Sequence, residues 1–357
     1  MFEGKRVLVT GGTGSLGQVF VRRLLEGKAG LPETITVLSR DEAKQHYMRL
    51  AFQKRGASTD ESIYENFRRQ LQFRIGDVRS YRDVCAGLRN VDIVINAAAL
   101  KQVPTCEYFP EQAVATNIDG AHNIVRAIRD QKLPIETVVG VSTDKACKPV
   151  NVMGLSKAIM ERVLIAGALD VPTTRFLIVR YGNVLASRGS VIPLFLEQIR
   201  HGGPVTVTSL DMTRFLISLD EAVDTIFAAL REGATGETYV PLCASAAVPD
   251  IATALIGERN IRTVVSGIRP GEKLHEILIS EEEARHVSRR GDYYAISSML
   301  PEIATTPVDP AADNVREYSS GTAPGDLQQT RGLLARHGLM PVDQPQDTRG
   351  ENDELLR

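Results

Sequence analysis

The stretch Val141–Lys157, VSTDKACKPVNVMGLSK, brings hydroxyls, a carboxylate and three lysines close together. Thr143, Asp144 and Lys145 are consecutive. An acid beside a base suits chemistry that moves two protons on neighbouring atoms of one substrate. Lys145 acts as a base only when neutral, a state that burial favours and an adjacent carboxylate opposes. Met153 and Lys157 stand at i,i+4 spacing, on one face of a helix. An oxidoreductase segment of this kind would need a phenol as base at the first of those positions. A thioether accepts no proton usefully, so the segment poses a question about which reaction it serves.

Those residues must be held by regular elements, and the chain supplies them. Short apolar runs read as strands: Arg6–Thr10, Thr34–Ser39, Leu71–Gly76, Val91–Ala98, Thr137–Ser142 and Phe176–Arg180. Nearly continuous Val, Ile and Leu suit strands buried on both faces, hence a parallel sheet. Amphipathic stretches such as SLGQVFVRRLLEG and GAHNIVRAIRDQ alternate with them. The pattern predicts an α/β chain, a Rossmann-type doubly wound parallel sheet. Past residue 180 the elements shorten and Pro and Gly punctuate them, which predicts a smaller mixed α/β substrate lobe. The expected domains are 1–180, then 181–300 interleaved to some degree with the first, then a C-terminal extension, 301–357. Within that extension DLQQTRGLLARHG reads as a helix, and the last fifteen or so residues read as disordered.

VTGGTGSLGQVF sets Gly11, Gly14 and Gly17 between the first strand and the first helix, with Thr13, Ser15 and Leu16 among them. Such glycines permit a tight turn and close backbone approach, and the helix N-terminus offers N–H donors to a pyrophosphate. A dinucleotide cofactor is therefore expected. At the tip of the second strand, Ser39 and Arg40 favour the 2′-phosphate of NADP, with Lys44 as a helper. Asp41 or Glu42 would serve the free ribose of NAD, so NAD stays open. Asp77, followed by Val78, ends the third strand, where the carboxylate is placed for an adenine amino group. Ala97, Ala98 and Ala99 end the fourth with side chains small enough for a cofactor to lie on the backbone.

Composition narrows the class. A net charge of −2, with 24% charged residues, gives no footprint for nucleic acid or an anionic membrane. No apolar run approaches the roughly 20 residues of a bilayer span. The four cysteines are scattered without a CxxC pair, which argues for reduced thiols and against a metal centre. MFEGKRVLVTGG enters a strand-like run with no signal-peptide core. A cytoplasmic globular protein is expected, with no metal, nucleic-acid or membrane partner.

In order along the chain stand TGGTGSLG, GDVR, NAAALKQVP, TNIDG, STDK, the Met153/Lys157 pair, RYGNV, SRGSVIP, MTRF and RPGEKLHE. Together they resemble the extended short-chain dehydrogenase/reductases, and among them the C5-inverting UDP-N-acetylglucosamine 4,6-dehydratases of polysaccharide and capsule biosynthesis. The resemblance covers roughly residues 1–318. It implies NADP, a UDP-sugar substrate and a homo-oligomer. It also implies that Asp144 is the acid at O6, Lys145 the base at C5, and Thr143 the ligand of the 4-oxygen. Most of the superfamily carries tyrosine at the position of Met153, tuned by a lysine at the position of Lys157. The resemblance places Lys101 and Asn117 near the substrate. It sets Asn183, Arg188, Ser190 and Arg214 along the sugar and diphosphate, Arg269 on the pyrophosphate and Glu272 on the uridine ribose. A UDP-sugar 4-epimerase and a non-catalytic NADP-binding regulator remain open beside the dehydratase.

Overall fold

The computed structural model describes residues 1–53, 58–185, 190–304 and 316–341. The chain forms two compact units. The first comprises the described parts of Met1–Gly182, Leu219–Leu242 and Ile277–Ser319, and the second those of Asn183–Ser218, Cys243–Glu276 and the chain from Ser320 onward.

The first unit is built on a nine-stranded sheet. Its strands are β1 (Arg6–Thr10), β2 (Thr34–Ser39), β3 (Leu71–Ile75), β4 (Ile93–Asn96), β5 (Thr137–Val141), β6 (Arg175–Val179), β7 (Thr238–Pro241), β8 (Val287–Arg290) and β9 (Tyr293–Ile296). The order across the sheet is β8-β9-β7-β6-β5-β4-β1-β2-β3. From β3 to β7 every pair is parallel, while β9 runs antiparallel to both β7 and β8. Strand order reverses between β1 and β4, and ligands of open α/β sheets bind outside the carboxyl ends at such a point. This is the Rossmann-type sheet that the alternating apolar runs predict.

All residues of β4 and β5 are buried, as continuous Val/Ile runs require. Strand β3 departs from that expectation. It lies at the sheet edge with a half-exposed pattern, and Ile75 is 63% exposed. Two helices lie over the centre of the sheet, Gly120–Gln131 and Val152–Asp170. Ile124 and Ile128 from the first and Leu164 from the second share one core with Leu8, Val94, Val138 and Phe176. Val152–Asp170 shows little of the one-sided patterning expected of a surface helix, because its exposed face carries Leu155, Ile159 and Leu169 while Ser156, Lys157 and Glu161 are buried.

The second unit carries a three-stranded sheet, Ala244–Ala247, Thr213–Ile217 and Asn183–Val184, with helices Val191–Arg200, Val248–Ile256 and Leu327–Arg336. Phe195, Leu216, Ile251, Leu255 and Leu334 meet in its core. The DLQQ helix is thus present over Leu327–Arg336, whereas the tail expected to be disordered lies outside the described residues.

Leu219–Leu242 and the described parts of Ile277–Ser319 belong to the sheet unit. The reason lies in packing: on helix Leu219–Glu232, Phe227 sits 5.5 Å from Phe2 and 5.8 Å from Phe20, ring to ring, while Asp224 pairs with Arg23 at 2.7 Å. Among the described residues no helix is long and apolar enough to cross a membrane.

Candidate active site

The ladder between β5 and β6 continues beyond the strands themselves. Ser142 donates its N–H to the Val179 carbonyl at 2.7 Å, and Asp144 to the Tyr181 carbonyl at 3.0 Å. The chain then turns through a single 3-10 turn, Asp144–Ala146, with Thr143 as its cap. The Thr143 hydroxyl donates to Asp144 Oδ1 at 2.8 Å, and Lys145 Nζ donates to the same oxygen at 3.0 Å. Asp144 is fully buried, and the Lys145 side chain is 21% exposed. One carboxylate oxygen is therefore shared by a hydroxyl and an amino group, which links the three side chains.

Helix α1 (Ser15–Leu25) follows β1, helix α2 (Glu42–Gln53) follows β2, and helix α3 (Val152–Asp170) follows the turn. The side chain of Asn151 caps α3 by accepting from the Gly154 N–H at 2.8 Å. Glycine is required at 154 because any Cβ would lie 2.2 Å from the Lys145 carbonyl oxygen. The first turn of α3 thus rests directly on the backbone of Lys145.

Met153 and Lys157 do share a face of α3, but their environments differ. Met153 is buried in an apolar cluster with Cys106 and Ala113, bordered by Leu100, Val103 and Val152. Its thioether ties α3 to the segment that carries Lys101. Lys157 donates to the Val141 carbonyl at 2.6 Å. Burial pulls its pKa from 10.5 down to about 8, against an opposing pull from the Glu161 carboxylate. A lysine lowered in this way destabilises the fold while charged, so stability is gained as pH rises from about 8 towards 10.5. In nitrogen-detected NMR of lysine-labelled protein, the Lys157 Nζ signal should titrate near pH 8, and a titration at the ordinary lysine value would refute that environment.

Gly11 leaves β1 with φ of +66°, and a Cβ there would lie 2.7 Å from the backbone of Ala98. The glycine loop therefore lies flat on the exit of β4, with Ala97 and Ala98 half-buried and Ala99 exposed. Helix α1 begins after Gly14 with no side-chain cap and no acidic residue in its first turn. Its first N–H groups, at Ser15, Leu16 and Gly17, are left for an anion. These features fit the pyrophosphate of a dinucleotide. Thr13 is buried and its hydroxyl lies 3.1 Å from that of Ser39 at the tip of β2. Arg40 is 59% exposed and 3.9 Å from Asp77. Asp41, the alternative partner for a ribose, caps α2 through the Lys44 N–H at 3.0 Å and pairs with Lys44 Nζ at 3.0 Å.

Asp77 sits at the end of β3 as expected, but Arg79 takes both its oxygens, through its backbone at 3.0 Å and its guanidinium at 2.6 Å. Burial works to raise the Asp77 carboxyl, and Arg79 with Arg40 outweighs it and holds it low. Val78 is buried in the central core. Lys101 is exposed. Asn117 is buried in a π-helical turn, Val114–Asp119, where it accepts from Leu100 N–H at 2.8 Å and donates to the Leu100 carbonyl at 3.0 Å and to Ser156 at 2.9 Å. Both its amide hydrogens point into the protein, so the geometry gives Asn117 the task of fixing the Leu100–Lys101 loop.

The remaining expected residues lie in the second unit, apart from Arg188, which falls outside the described residues. Asn183 Oδ1 and Ser190 Oγ are buried with no hydrogen-bond partner among the described residues. Buried polar atoms in that state are unfavourable unless a ligand or water completes them. Arg214 is buried, donates to the carbonyls of Thr213 and Leu274 at 2.7 and 3.1 Å, and lies 3.9 Å from Glu276. Arg269 and Glu272 share one turn, in which the Arg269 N–H donates to Glu272 at 3.3 Å while the arginine itself is exposed.

A model of a family described as "Polysaccharide biosynthesis protein" matches residues 7–298. The chain belongs to that family. Relatives of the chain include one named UDP-glucose 4-epimerase from Rickettsia bellii (strain OSU 85-389), 42% identical over 301 residues that span 83% of this chain and 84% of the relative. Among solved structures, Pen from Bacillus thuringiensis is 32% identical with a TM-score of 0.83, covering 95% of this chain and 100% of that one. DesIV, a dTDP-glucose 4,6-dehydratase from Streptomyces venezuelae solved with NAD bound, shares the fold at a TM-score of 0.63 and 24% identity, over 75% of this chain and 86% of that one.

One buried group beside the Thr143 turn escapes the sequence reading. Arg180, 2% exposed, is gripped by two carboxylates, Glu161 and Glu283, and also donates to the Leu278 carbonyl at 2.9 Å. Glu161 in turn accepts from the Ser142 hydroxyl. The available signal was a lone arginine at the end of a fully apolar run, FLIVR. A charge there requires a buried partner.

Proposed function

We propose that the protein is an NADP-dependent UDP-N-acetylglucosamine 4,6-dehydratase that inverts C5 and yields a 4-keto-6-deoxy sugar. The observation that carries this reading is the Thr143–Asp144–Lys145 cluster, an acid and a base joined at one buried carboxylate oxygen. When bound, NADP would accept hydride from C4 and return it at C6. The chain's own residues have three tasks around that exchange. Thr143 binds the 4-oxygen and passes its proton to Asp144, along the 2.8 Å hydrogen bond between them. Lys145 in its neutral form removes the C5 proton, acidic once C4 is a ketone, and releases it to solvent, while C5 is later reprotonated from water on the opposite face. Asp144, now protonated, delivers its proton to the departing 6-hydroxyl, so the proton taken from O4 leaves in water. On this route the missing phenol at Met153 is replaced by the hydroxyl–carboxylate pair.

Supporting residues follow the same reading. The uncapped α1 terminus and the glycine loop take the pyrophosphate, and Lys157 lies against the cofactor. Lys101 binds the sugar nucleotide. Arg40, with Ser39, takes the 2′-phosphate, since Asp41 already caps α2. Arg40→Ala should weaken NADP by roughly tenfold to a hundredfold and leave NAD unchanged, the usual size of a lost charge-assisted hydrogen bond. A cofactor fluorescence titration with both dinucleotides checks this, and equal losses for the two would remove Arg40 from the specificity.

A UDP-sugar 4-epimerase is the second reading, favoured by the name that the Rickettsia bellii relative carries. Epimerisation needs a base at O4 and has no use for a base at C5 or an acid at O6. Proton NMR with UDP-N-acetylglucosamine and NADP in D2O separates the two. Dehydration gives a C6 methyl signal without coupling to C5, because deuterium replaces hydrogen there. A C4 epimer with no methyl signal would replace the dehydratase reading with the epimerase.

A further inference from the structure

The end of β5 is held from α3 at two successive residues. Lys157 Nζ donates to the carbonyl of Val141 at 2.6 Å, and one turn later on the same helix Glu161 accepts from the hydroxyl of Ser142. Glu161 is itself fixed: Arg180 Nε donates to its Oε1 at 3.1 Å and Arg180 Nη2 to its Oε2 at 2.7 Å. Arg180 is fixed from the other side by Glu283, through bonds of 2.8 and 2.9 Å. Glu283 closes the capping box of Glu281–Ala284 and accepts from Cys147, the residue after the 3-10 turn. The segment Ser142–Cys147 is thus tied at both ends to one buried guanidinium. The side chains of Glu161, Arg180 and Glu283 are each at least nine-tenths buried.

We propose that Glu161 is a positioning residue of the site, a clamp anchored on Arg180 that holds Ser142 and so sets the direction in which Thr143, Asp144 and Lys145 leave the sheet. This rests on the proposed dehydration for its catalytic consequence, though the clamp itself does not. Directed bonds of this kind fix an angle where apolar packing alone would leave some play. An error of about 1 Å at such a segment reduces turnover by about a hundredfold. Glu161 touches no substrate in this assignment, and acts through Ser142.

The test uses Glu161→Met and Ser142→Ala, singly and together, in the full chain. Glu161→Met keeps the volume and leaves Arg180 paired with Glu283, so the buried charge stays balanced. Ser142→Ala removes one hydroxyl and serves if the first variant does not fold. Two readouts are taken: amide hydrogen exchange at Ser142 and Asp144, and kcat and KM for UDP-N-acetylglucosamine. The expected result is exchange about tenfold faster or more at those two amides. With it should come a kcat lowered about a hundredfold at a KM changed by less than about threefold. The double variant should be no worse than Glu161→Met, because both act through one bond. Unchanged exchange in both singles overturns the clamp. Faster exchange with undiminished kcat, in a protein whose wild type dehydrates the sugar, overturns the positioning role. If the wild type makes no methyl product and exchange still responds, the dehydratase reading falls and the clamp stands.

Discussion

Lys145→Met should lower methyl formation from UDP-N-acetylglucosamine by about three orders of magnitude, within the range that a general base contributes. The substitution keeps an unbranched side chain, one atom shorter, and removes the amino group that donates to Asp144 Oδ1. Cofactor binding should be unchanged, because the glycine loop and α1 lie on β1 and not on β5. Proton NMR in D2O reads the chemistry, with no methyl signal and no exchange of the C5 hydrogen for deuterium, and a cofactor fluorescence titration reads the binding. A variant that still exchanged C5 at the wild-type rate would transfer the role of base to another group. Asp144→Asn should fail one step earlier. There the acceptor of the O4 proton and the acid at O6 are lost together, so neither exchange at C5 nor a methyl signal should appear.

The second large effect concerns stability. Arg180→Met would leave the carboxylates of Glu161 and Glu283 buried with no guanidinium between them, and removing one partner of a buried ionic group costs about 3–5 kcal/mol. The dependence on pH should also reverse. In the wild type, burial works to raise the Glu283 carboxyl, and the charge and hydrogen bonds of Arg180 outweigh it, holding it below its ordinary 4.5. A depressed carboxyl stabilises the fold above its unfolded value, and that stability is lost as pH falls through the folded value. Without Arg180 burial dominates and the carboxyl is raised, so the variant is most stable when protonated and weakens as pH rises. Thermal unfolding followed from about pH 5.5 to about pH 8 should show the variant losing stability across the range. A variant with the wild-type slope would show that the two glutamates find other partners.

Much of the first unit could be read from residue order alone. Apolar continuity at Ile93–Asn96 and Thr137–Val141 matched strands buried on both faces, and the glycines after β1 matched a helix start without a cap. Leu71–Ile75 shows the limit of that reading. An apolar run does not reveal whether a second neighbour will pair with it, and among the described residues none does on one side. The helix Leu219–Glu232 shows another. Its amphipathic pattern announces a buried face, yet only the meeting of Phe227 with Phe2 and Phe20 tells which core takes it. In the site, Thr143, Asp144 and Lys145 were legible because they are adjacent. Glu161, Arg180 and Glu283 were not, because their charges are balanced only through contacts between distant parts of the chain, as between Arg180 and Glu283. Asn117 was singled out only through the resemblance, and its partner, the backbone of Leu100, leaves no mark in the sequence.

The path of the chain through the large sheet has a consequence for synthesis on the ribosome. Strand β6 ends at Val179, and its parallel neighbour β7 begins only at Thr238, with β9 later still at Tyr293. A nascent chain that has delivered β1 to β6 therefore presents β6, four of whose five residues end up buried, as an open apolar edge. It stays open while the intervening residues are made, and at about 5–20 residues per second that wait lasts seconds. Open edges of this kind pair with whatever strand is at hand. Fragments that stop near residue 182 should accordingly aggregate or recruit chaperones, and recovery should improve once β7 has been synthesised.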